Sequence, residues 1–220
     1  IAAYEFVAVV LPAVDAPAAI AVVERGVAAV EPHDTVLDVG CATGEFMLAA
    51  QASGWEAYGV EPAAPAANVA KGTTGCEVHV GTLDTVPYPD GWFDVVTLWD
   101  VIEHVQSPTQ YFADVARLVR PGGLVGITTP NIRCLSYWAL GPHWSAIGPN
   151  GHIFYFAPKT LKRLLEKSGF EVVAALRIEV AHHFRGTKRQ LAALTQFALL
   201  DHRPHALQDA RIRRRCGHRC

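Results

Sequence analysis

One stretch of the chain, residues 35–52, constrains the fold more than any other. Residues 35–39 form a short apolar run rich in β-branched side chains, which predicts a buried strand. Gly40 and Gly44 bound a tight turn, and helical spacing of apolar residues follows from residue 44 to residue 52. A strand, a glycine turn and a helix in this order predict a βα unit, the repeating element of parallel sheets.

The same alternation continues along the chain and predicts the fold class. Further strands are expected over residues 55–60, 77–80, 92–99, 124–129 and 170–180. Helices are expected over residues 17–30, 61–70, 107–120, 158–168 and 187–200, with Ser107 as a side-chain N-cap. We therefore expect an α/β fold with a Rossmann-like open, mostly parallel twisted sheet of about six to seven strands and helices on both faces.

The domain organisation follows from where this pattern stops. Residues 1–180 are expected to form one domain, interrupted by an aromatic, Gly/Pro-rich insert at about residues 131–157. Residues 181–220 are expected to hold a C-terminal helix and a basic tail whose composition is typical of disorder.

Composition excludes several classes of partner. Charged residues make up 18% of the 220 residues and the net charge is −2, which argues against a nucleic-acid partner. No apolar run reaches the roughly 20 residues that a membrane helix needs, so we expect no membrane insertion. The five cysteines are scattered, which favours a reducing, cytoplasmic location. A monomer or a homodimer is the expected assembly.

The glycine turn predicts a ligand site. Ligands of open α/β sheets bind outside the carboxyl ends of the strands, where Gly40 and Gly44 let the backbone approach them closely. Glu61 ends the next strand, and a carboxylate there can accept both hydroxyls of a ribose. The G-x-G-x-x-G pattern of dinucleotide sites is not met, because Ala42 and Glu45 stand where its second and third glycines belong.

Several segments together resemble the class I S-adenosylmethionine-dependent methyltransferase family. The segment Asp38-Val39-Gly40-Cys41-Ala42-Thr43-Gly44 is similar to the first motif of that family, except that Ala42 replaces the usual glycine. Gly59-Val60-Glu61-Pro62 resembles its acidic second motif, and residues 87–105 and 118–123 resemble the segments around its fourth and fifth strands. The resemblance covers residues 30–178, roughly two thirds of the chain.

Beyond the core, the resemblance extends to one bacterial subgroup. The segments that carry it are Thr129-Pro130-Asn131 and His152-Ile153-Phe154-Tyr155-Phe156, the H-x-x-x-F pattern. It implies S-adenosylmethionine as the cofactor and S-adenosylhomocysteine as its product. It also implies that Asp38 faces the amino group of the cofactor and that the adenine lies against residues 82–84. The cofactor-binding residues expected on these grounds are Asp38, Gly40, Cys41, Ala42, Gly44, Glu61, Pro62, Thr82, Leu83, Asp84 and Trp99.

Two histidines are candidates for the catalytic base. His104 follows the fourth core strand and His152 lies in the insert, and the unperturbed pKa of histidine in general lies near neutrality. The alternative for each is a structural histidine bonded to a carbonyl. Glu103 is expected as a carboxylate at a helix start rather than as a catalyst. No metal is expected, because the terminal segment Cys216-Gly217-His218-Arg219-Cys220 has no partner cluster.

The favoured function is methyl transfer to a small molecule or a glycan or lipid precursor. The aromatic insert suggests an apolar or ring-bearing acceptor, although a folded aromatic cap is the simpler explanation. A non-catalytic S-adenosylmethionine-binding relative and an NAD(P)-dependent oxidoreductase are the alternatives. A nucleic-acid methyltransferase is disfavoured because the core lacks a basic stripe.

Overall fold

The structure, a computed structural model, describes residues 2–10, 34–144, 146–147 and 151–180. The helices expected over residues 17–30 and 187–200, and the basic tail, lie outside the described residues. The strands are β1 (Ala2–Val10), β2 (Thr35–Val39), β3 (Glu56–Glu61), β4 (Glu77–Val80), β5 (Phe93–Trp99), β6 (Val119–Pro130) and β7 (Glu171–Val180). The helices are α1 (Glu45–Ala52), α2 (Ala64–Thr74), α3 (Pro108–Leu118), α4 (Leu135–Leu140) and α5 (Pro158–Lys167).

The strands form one open sheet in the order β4-β3-β2-β5-β6-β1-β7. The five strands from β4 to β6 pair in parallel, and β1 pairs antiparallel with both β6 and β7. The expectation of an open, mostly parallel Rossmann-like sheet is confirmed. The order reverses beside β2, so the carboxyl ends of β2, β3 and β5 meet where ligands bind in such sheets.

Helices cover both faces of the sheet, as expected, because alternate side chains of each buried strand point to opposite faces. Leu37 and Val39 pack into one buried cluster with apolar side chains of α3 and α5. Val36, the residue before Leu37, packs into a second cluster with side chains of α1 and α2. The two-sided burial explains why the strands read as nearly continuous apolar runs.

Three expected boundaries are wrong. The helix after β3 begins at Ala64 rather than residue 61, so Pro65 and not Pro62 lies in its first turn. Ser107 precedes α3 in the N-cap position, but its side chain makes no capping hydrogen bond, and the helix ends at Leu118. The final parallel strand, β6, begins at Val119, with an irregular register against β5 before Leu124.

The strand β1 was not anticipated from the sequence. It lies between β6 and β7, with Tyr4 opposite Pro130 on one side and Ile178 on the other. Its sequence is apolar without strict alternation, so periodicity alone did not distinguish it.

Candidate functional site

A cavity of about 690 Å³ opens at the carboxyl ends of the central strands. Its volume falls in the range of roughly 300–1,000 Å³ that small-molecule sites occupy. Its walls come from the ends of β2, β3 and β5, the loops that follow them and the start of α3. The expected site residues in these walls are Gly40, Glu61, Pro62, Thr82, Leu83, Asp84, Trp99 and His104. A smaller cavity of about 140 Å³ adjoins the glycine turn and includes Asp38, Cys41 and Ala42.

The glycine turn is held by the end of β3. The backbone N–H groups of Gly40 and Cys41 both donate to the carbonyl of Val60, at 2.8 and 3.1 Å. Ala42 has φ 48°, a left-handed conformation that is costly for a residue with a Cβ. This backbone requirement explains why the family motif usually has glycine here.

Glu61 connects two structural elements through its carboxylate. One oxygen accepts a hydrogen bond from the Ala42 N–H at 3.0 Å and the other from the Ala63 N–H at 2.8 Å. The side chain is buried, yet it contributes to the wall of the larger cavity. Since each carboxylate oxygen can accept two hydrogen bonds, Glu61 retains acceptor capacity toward the cavity.

Asp38 is buried at the end of β2, where it lies beside Thr97 of β5. The Thr97 hydroxyl donates to its carboxyl group at 2.9 Å. Burial raises the pKa of Asp38 to about 7; the Thr97 hydrogen bond opposes the rise and the charge of Glu61 adds to it. Burial, with Asp38 and Glu61 nearby, also raises the pKa of the Cys41 thiol to about 12 and keeps it protonated. A buried carboxyl of this kind favours a cationic ligand group beside it.

The other end of the larger cavity is formed after β4. Leu83 is buried at the start of a short 3₁₀ turn, Leu83–Thr85, and Thr82 and Asp84 flank it in the cavity wall. Trp99 ends β5 and packs its ring against Phe46 of α1, with ring centroids 5.1 Å apart. Trp99 contributes to both cavities, so it separates the pocket beside the glycine turn from the pocket after β4.

Gly44 is not part of either cavity wall. A Cβ at this position would lie 2.7 Å from Thr74 Cγ2 and 3.1 Å from Ala70 Cβ. The glycine is therefore required for the close packing of α1 against α2 rather than for contact with the cavity.

The structure brings together the two candidate catalytic histidines, which are 48 residues apart in sequence. Their rings are edge to face with centroids 4.7 Å apart. His104 Nδ1 donates to the Gly151 carbonyl at 2.9 Å, and His152 Nδ1 donates to the Ala146 carbonyl at 3.0 Å. Because a carbonyl only accepts, both protons are assigned to Nδ1 and both Nε2 atoms keep a lone pair in the neutral rings. Each histidine can therefore be hydrogen-bonded to a carbonyl through Nδ1 and still present the lone pair of Nε2 as a base.

Glu103 is not a helix-start carboxylate, since α3 begins five residues later at Pro108. It is completely buried, and one carboxyl oxygen accepts a hydrogen bond from the Thr129 hydroxyl at 3.0 Å. The neighbouring Thr128 hydroxyl donates to Asp100, at 2.7 Å. The Thr128-Thr129 pair of β6 therefore holds the loop after β5 through two side-chain hydrogen bonds. Burial, with a contribution from Asp100, raises the pKa of Glu103 to about 8.

Sequence reasoning missed the contribution of α3 to the cavity. Gln110, Tyr111 and Asp114 of this helix lie in the wall. Burial raises the pKa of Tyr111, and it also raises the pKa of Asp114, to which the nearby charge of Asp84 adds. The sequence did contain one indication of this wall: the polar residues at positions 110 and 114 are four apart, and residues at that spacing share one helix face. In contrast, none of the described residues of the aromatic insert lines this cavity. Trp144 instead packs in a small core with Cys134 and Ala146.

The residues present fit the cofactor that the sequence resemblance implies. Glu61 offers free acceptor capacity where a ribose would lie, and Asp38 offers a buried carboxyl beside the glycine turn. Close approach at the turn also depends on Gly40, where a Cβ would lie 2.9 Å from Val101 Cγ2. Among the described helices, none combines the length and apolar character needed to cross a membrane.

Comparisons with known proteins identify the family of this chain. A family model described as a methyltransferase domain matches residues 16–175. The ubiquinone biosynthesis O-methyltransferase of Aromatoleum aromaticum is 29% identical over 153 residues, which cover 64% of this chain. The chain spans 65% of the length of that relative.

Solved structures show the same fold. A SAM-dependent methyltransferase from Archaeoglobus fulgidus superposes with a TM-score of 0.53 at 25% identity, covering 63% of this chain and 62% of its own. The [4+2]-cyclase SpnF superposes with a TM-score of 0.56 at 23% identity, covering 72% and 58%, and shows likeness of fold alone. The family match covers well over half of the sequence, and its cofactor is S-adenosylmethionine, as the motifs indicated. The chain belongs to the methyltransferase domain family, with the fold of class I S-adenosylmethionine-dependent methyltransferases.

Proposed function

We propose that this chain binds S-adenosylmethionine in the cavity at the carboxyl ends of β2, β3 and β5 and methylates a small-molecule acceptor. One observation carries the proposal: a cavity of about 690 Å³ has the ribose-reading carboxylate Glu61 in one part of its wall and His104 in another. The family membership supports the choice of methyl donor and disfavours a nicotinamide cofactor.

The chain contributes chiefly binding and alignment. Glu61 accepts hydrogen bonds from the ribose hydroxyls while the Ala42 and Ala63 N–H groups hold its carboxylate in place. Asp38 pairs with the amino group of the cofactor, and Leu83 and Trp99 provide apolar walls. When bound, the cofactor supplies a methyl group on a positively charged sulfonium sulfur, and this sulfur becomes a neutral thioether once the methyl group has been transferred. Alignment of acceptor and methyl is then the main source of rate acceleration.

Proton removal is assigned to the histidine pair. A hydroxyl that attacks the methyl group loses its proton, and the lone pair on Nε2 of His104 or His152 accepts it. The Gly151 and Ala146 carbonyls fix the two rings in the tautomer that this step needs. His104 lies in the cavity wall and is exposed, so it is the first acceptor, and His152 lies behind it.

The acceptor is proposed to be a hydroxyl of a small molecule or a glycan or lipid precursor. The name of the Aromatoleum relative supports oxygen as the atom methylated. A cytoplasmic location and a monomeric or homodimeric state remain predictions.

Ligand binding tests the first half of the proposal. S-adenosylhomocysteine at millimolar concentration should raise the melting temperature, and Glu61→Ala should abolish the shift. Glu56→Gln, at the opposite end of β3 where the carboxylate accepts a hydrogen bond from the Tyr58 hydroxyl, is the matched control and should keep the shift. A shift with NADH and none with S-adenosylhomocysteine would contradict the proposal.

Turnover tests the second half. Transfer of labelled methyl from S-adenosylmethionine to a panel of hydroxylated aromatics and sugar or lipid precursors should be detected. His104→Gln should lower kcat by about 10²–10⁴-fold, the range of general base catalysis, while cofactor affinity stays unchanged. Cofactor binding without transfer to any member of the panel would favour the non-catalytic relative.

A further inference from the structure

We propose that Glu103, His104 and His152 form a binding site for one divalent transition-metal ion of the Zn²⁺ type, beside the cavity described above. One ligand atom from each of the three side chains lies within 4.8 Å of the other two. This set is not apparent in the sequence, because the two histidines meet only through the fold. The proposal concerns metal binding, and its tests do not require methyl transfer.

The histidines are already oriented as metal ligands usually are. Metal-ligating histidines donate their second ring N–H to a carbonyl or carboxylate, which fixes the tautomer. His104 Nδ1 bonds the Gly151 carbonyl and His152 Nδ1 bonds the Ala146 carbonyl. In both rings Nε2 is therefore the nitrogen left to coordinate an ion.

Glu103 provides the second, independent observation. Its side chain is fully buried, and its Oε1 atom has no hydrogen-bond partner among the described residues. Its other oxygen accepts from Thr129 at 3.0 Å. One oxygen oriented by a hydroxyl and one left without a partner is the arrangement of a carboxylate that coordinates through a single atom. An orphaned buried carboxyl oxygen is costly, and a cation would satisfy it.

The two ligand-bearing segments are tied to each other by the backbone. The Ile153 and Phe154 N–H groups both donate to the Glu103 carbonyl, at 2.7 and 3.1 Å. These two backbone hydrogen bonds hold His152 next to Glu103 and His104, so the three ligands are brought together by the main chain. Zn²⁺ at about 2.0–2.2 Å from its ligands holds them about 3–3.5 Å apart, so the set, whose atoms lie within 4.8 Å of one another, contracts when the ion binds.

The ligand set selects the class of metal. Two imidazole nitrogens and one carboxylate oxygen suit Zn²⁺, Co²⁺ or Fe²⁺, whereas Mg²⁺ and Ca²⁺ prefer oxygen ligands. Three protein ligands leave coordination positions open, and His104 is exposed at the cavity, so the ion can reach a bound molecule. In the metal-free form the two Nε2 lone pairs accept protons. A bound ion would occupy both lone pairs and would supply Lewis-acid activation of a coordinated hydroxyl instead.

Metal titration tests the proposal directly. The protein is stripped with chelator and carries Cys216→Ser and Cys220→Ser, so that the terminal thiols cannot contribute to the Zn²⁺ signal. Calorimetry should give one Zn²⁺ per chain, Co²⁺ should produce a visible absorption band, and Mg²⁺ should not compete.

Variants assign the bound ion to the three residues. His104→Ala and Glu103→Gln should each weaken Zn²⁺ binding by at least about 10–100-fold, the range seen even for outer-shell changes, and Thr129→Val by about 10-fold. His79→Ala, which removes a histidine that meets Thr85 outside the cluster, should change nothing. His104 is exposed, so its replacement keeps the test valid if Glu103→Gln fails to fold. Absence of stoichiometric binding, or binding that survives both His104→Ala and His152→Ala, would overturn the proposal.

Discussion

Glu61 and Ala42 are joined by a hydrogen bond of 3.0 Å from the Ala42 N–H to a carboxyl oxygen of Glu61. The bond links the second acidic motif to the glycine turn and helps hold Ala42 at φ 48°. Glu61, which the sequence predicts to bind the ribose of the cofactor, therefore also holds the glycine turn in place.

Ala42→Gly should stabilise the protein. A left-handed conformation costs a non-glycine residue about 1–2 kcal/mol, and the larger entropy of glycine in the unfolded chain offsets about 0.5–1 kcal/mol of the gain. We expect a net gain of about 0.5–1 kcal/mol in the free energy of unfolding, with tighter binding of S-adenosylhomocysteine because one methyl group leaves the cavity wall. Urea denaturation and calorimetry measure both. Ala49→Gly, inside α1, should instead lower stability by about 1 kcal/mol.

Gly44→Ala should destabilise the protein through the contact between α1 and α2. The added Cβ would approach Thr74 and Ala70 to 2.7–3.1 Å, at a backbone φ of 85°. A loss of about 2–4 kcal/mol follows from overpacking and left-handed strain together. Gly72→Ala in α2 is the matched control, since its Cβ would meet no atom within 4 Å, and it should stabilise by about 0.5–1 kcal/mol. Equal effects of the two substitutions would rule out the packing role of Gly44.

Asp38 should make stability fall as the pH rises. Burial raises the pKa of Asp38 in the folded protein to about 7, whereas in the unfolded chain it titrates near 3.8. Between these values the folded state holds a proton that the unfolded state has lost, so the free energy of unfolding decreases from about pH 4 to pH 7 and then levels off.

Asp38→Asn should remove this contribution, because the amide stays neutral and can still accept from the Thr97 hydroxyl. The variant should gain on the wild type as the pH rises to 8, by an amount on the order of a few kcal/mol. Chemical denaturation between pH 5 and pH 8 measures the difference. Parallel pH profiles would show that Asp38 is ionised in the folded state throughout.

Asp94 should contribute in the opposite sense. Burial by itself would raise its pKa, but hydrogen bonds from Thr35 and Arg120 outweigh that effect and lower it. Its stabilisation is therefore present above its unfolded pKa and is lost as the pH falls through the lower folded value. Asp94→Asn should cost about 1–3 kcal/mol at pH 7, and the difference from wild type should shrink below about pH 4.

The control for Asp94 is Asp90, which also forms an ion pair with an arginine. Asp90 pairs with Arg117 at 3.1 Å but its side chain is 78% exposed. Asp90→Asn should change stability by less than about 1 kcal/mol, as exposed pairs do. If Asp90→Asn lost more stability than Asp94→Asn, the ion pair between Asp94 and Arg120 would not be the one that stabilises the fold by connecting β5 to Arg120.

Much of the fold was readable because its pattern is local. The apolar run of β5 and the strand and turn around Gly40 each show their structure over fewer than ten residues. Boundaries were less readable: Ser107 looks like a side-chain cap, yet its hydroxyl makes no capping hydrogen bond, because capping depends on the conformation of the turn before the helix. The strand β1 was not predicted, because its place in the sheet is set by pairing with β6 and β7, which are more than a hundred residues away in sequence.

For the site, the sequence by itself determined the chemistry that one βα turn can carry: Asp38, the glycines and Glu61 lie at strand ends that a parallel sheet must bring to one edge. Tertiary structure alone decided which of these groups touch the cavity, since Gly44 turned out to pack two helices. It also decided that Glu103, His104 and His152 meet. The reason is physical: strand order and the periodicity of side chains are encoded locally, whereas burial, protonation and contacts across the fold depend on what packs against each residue.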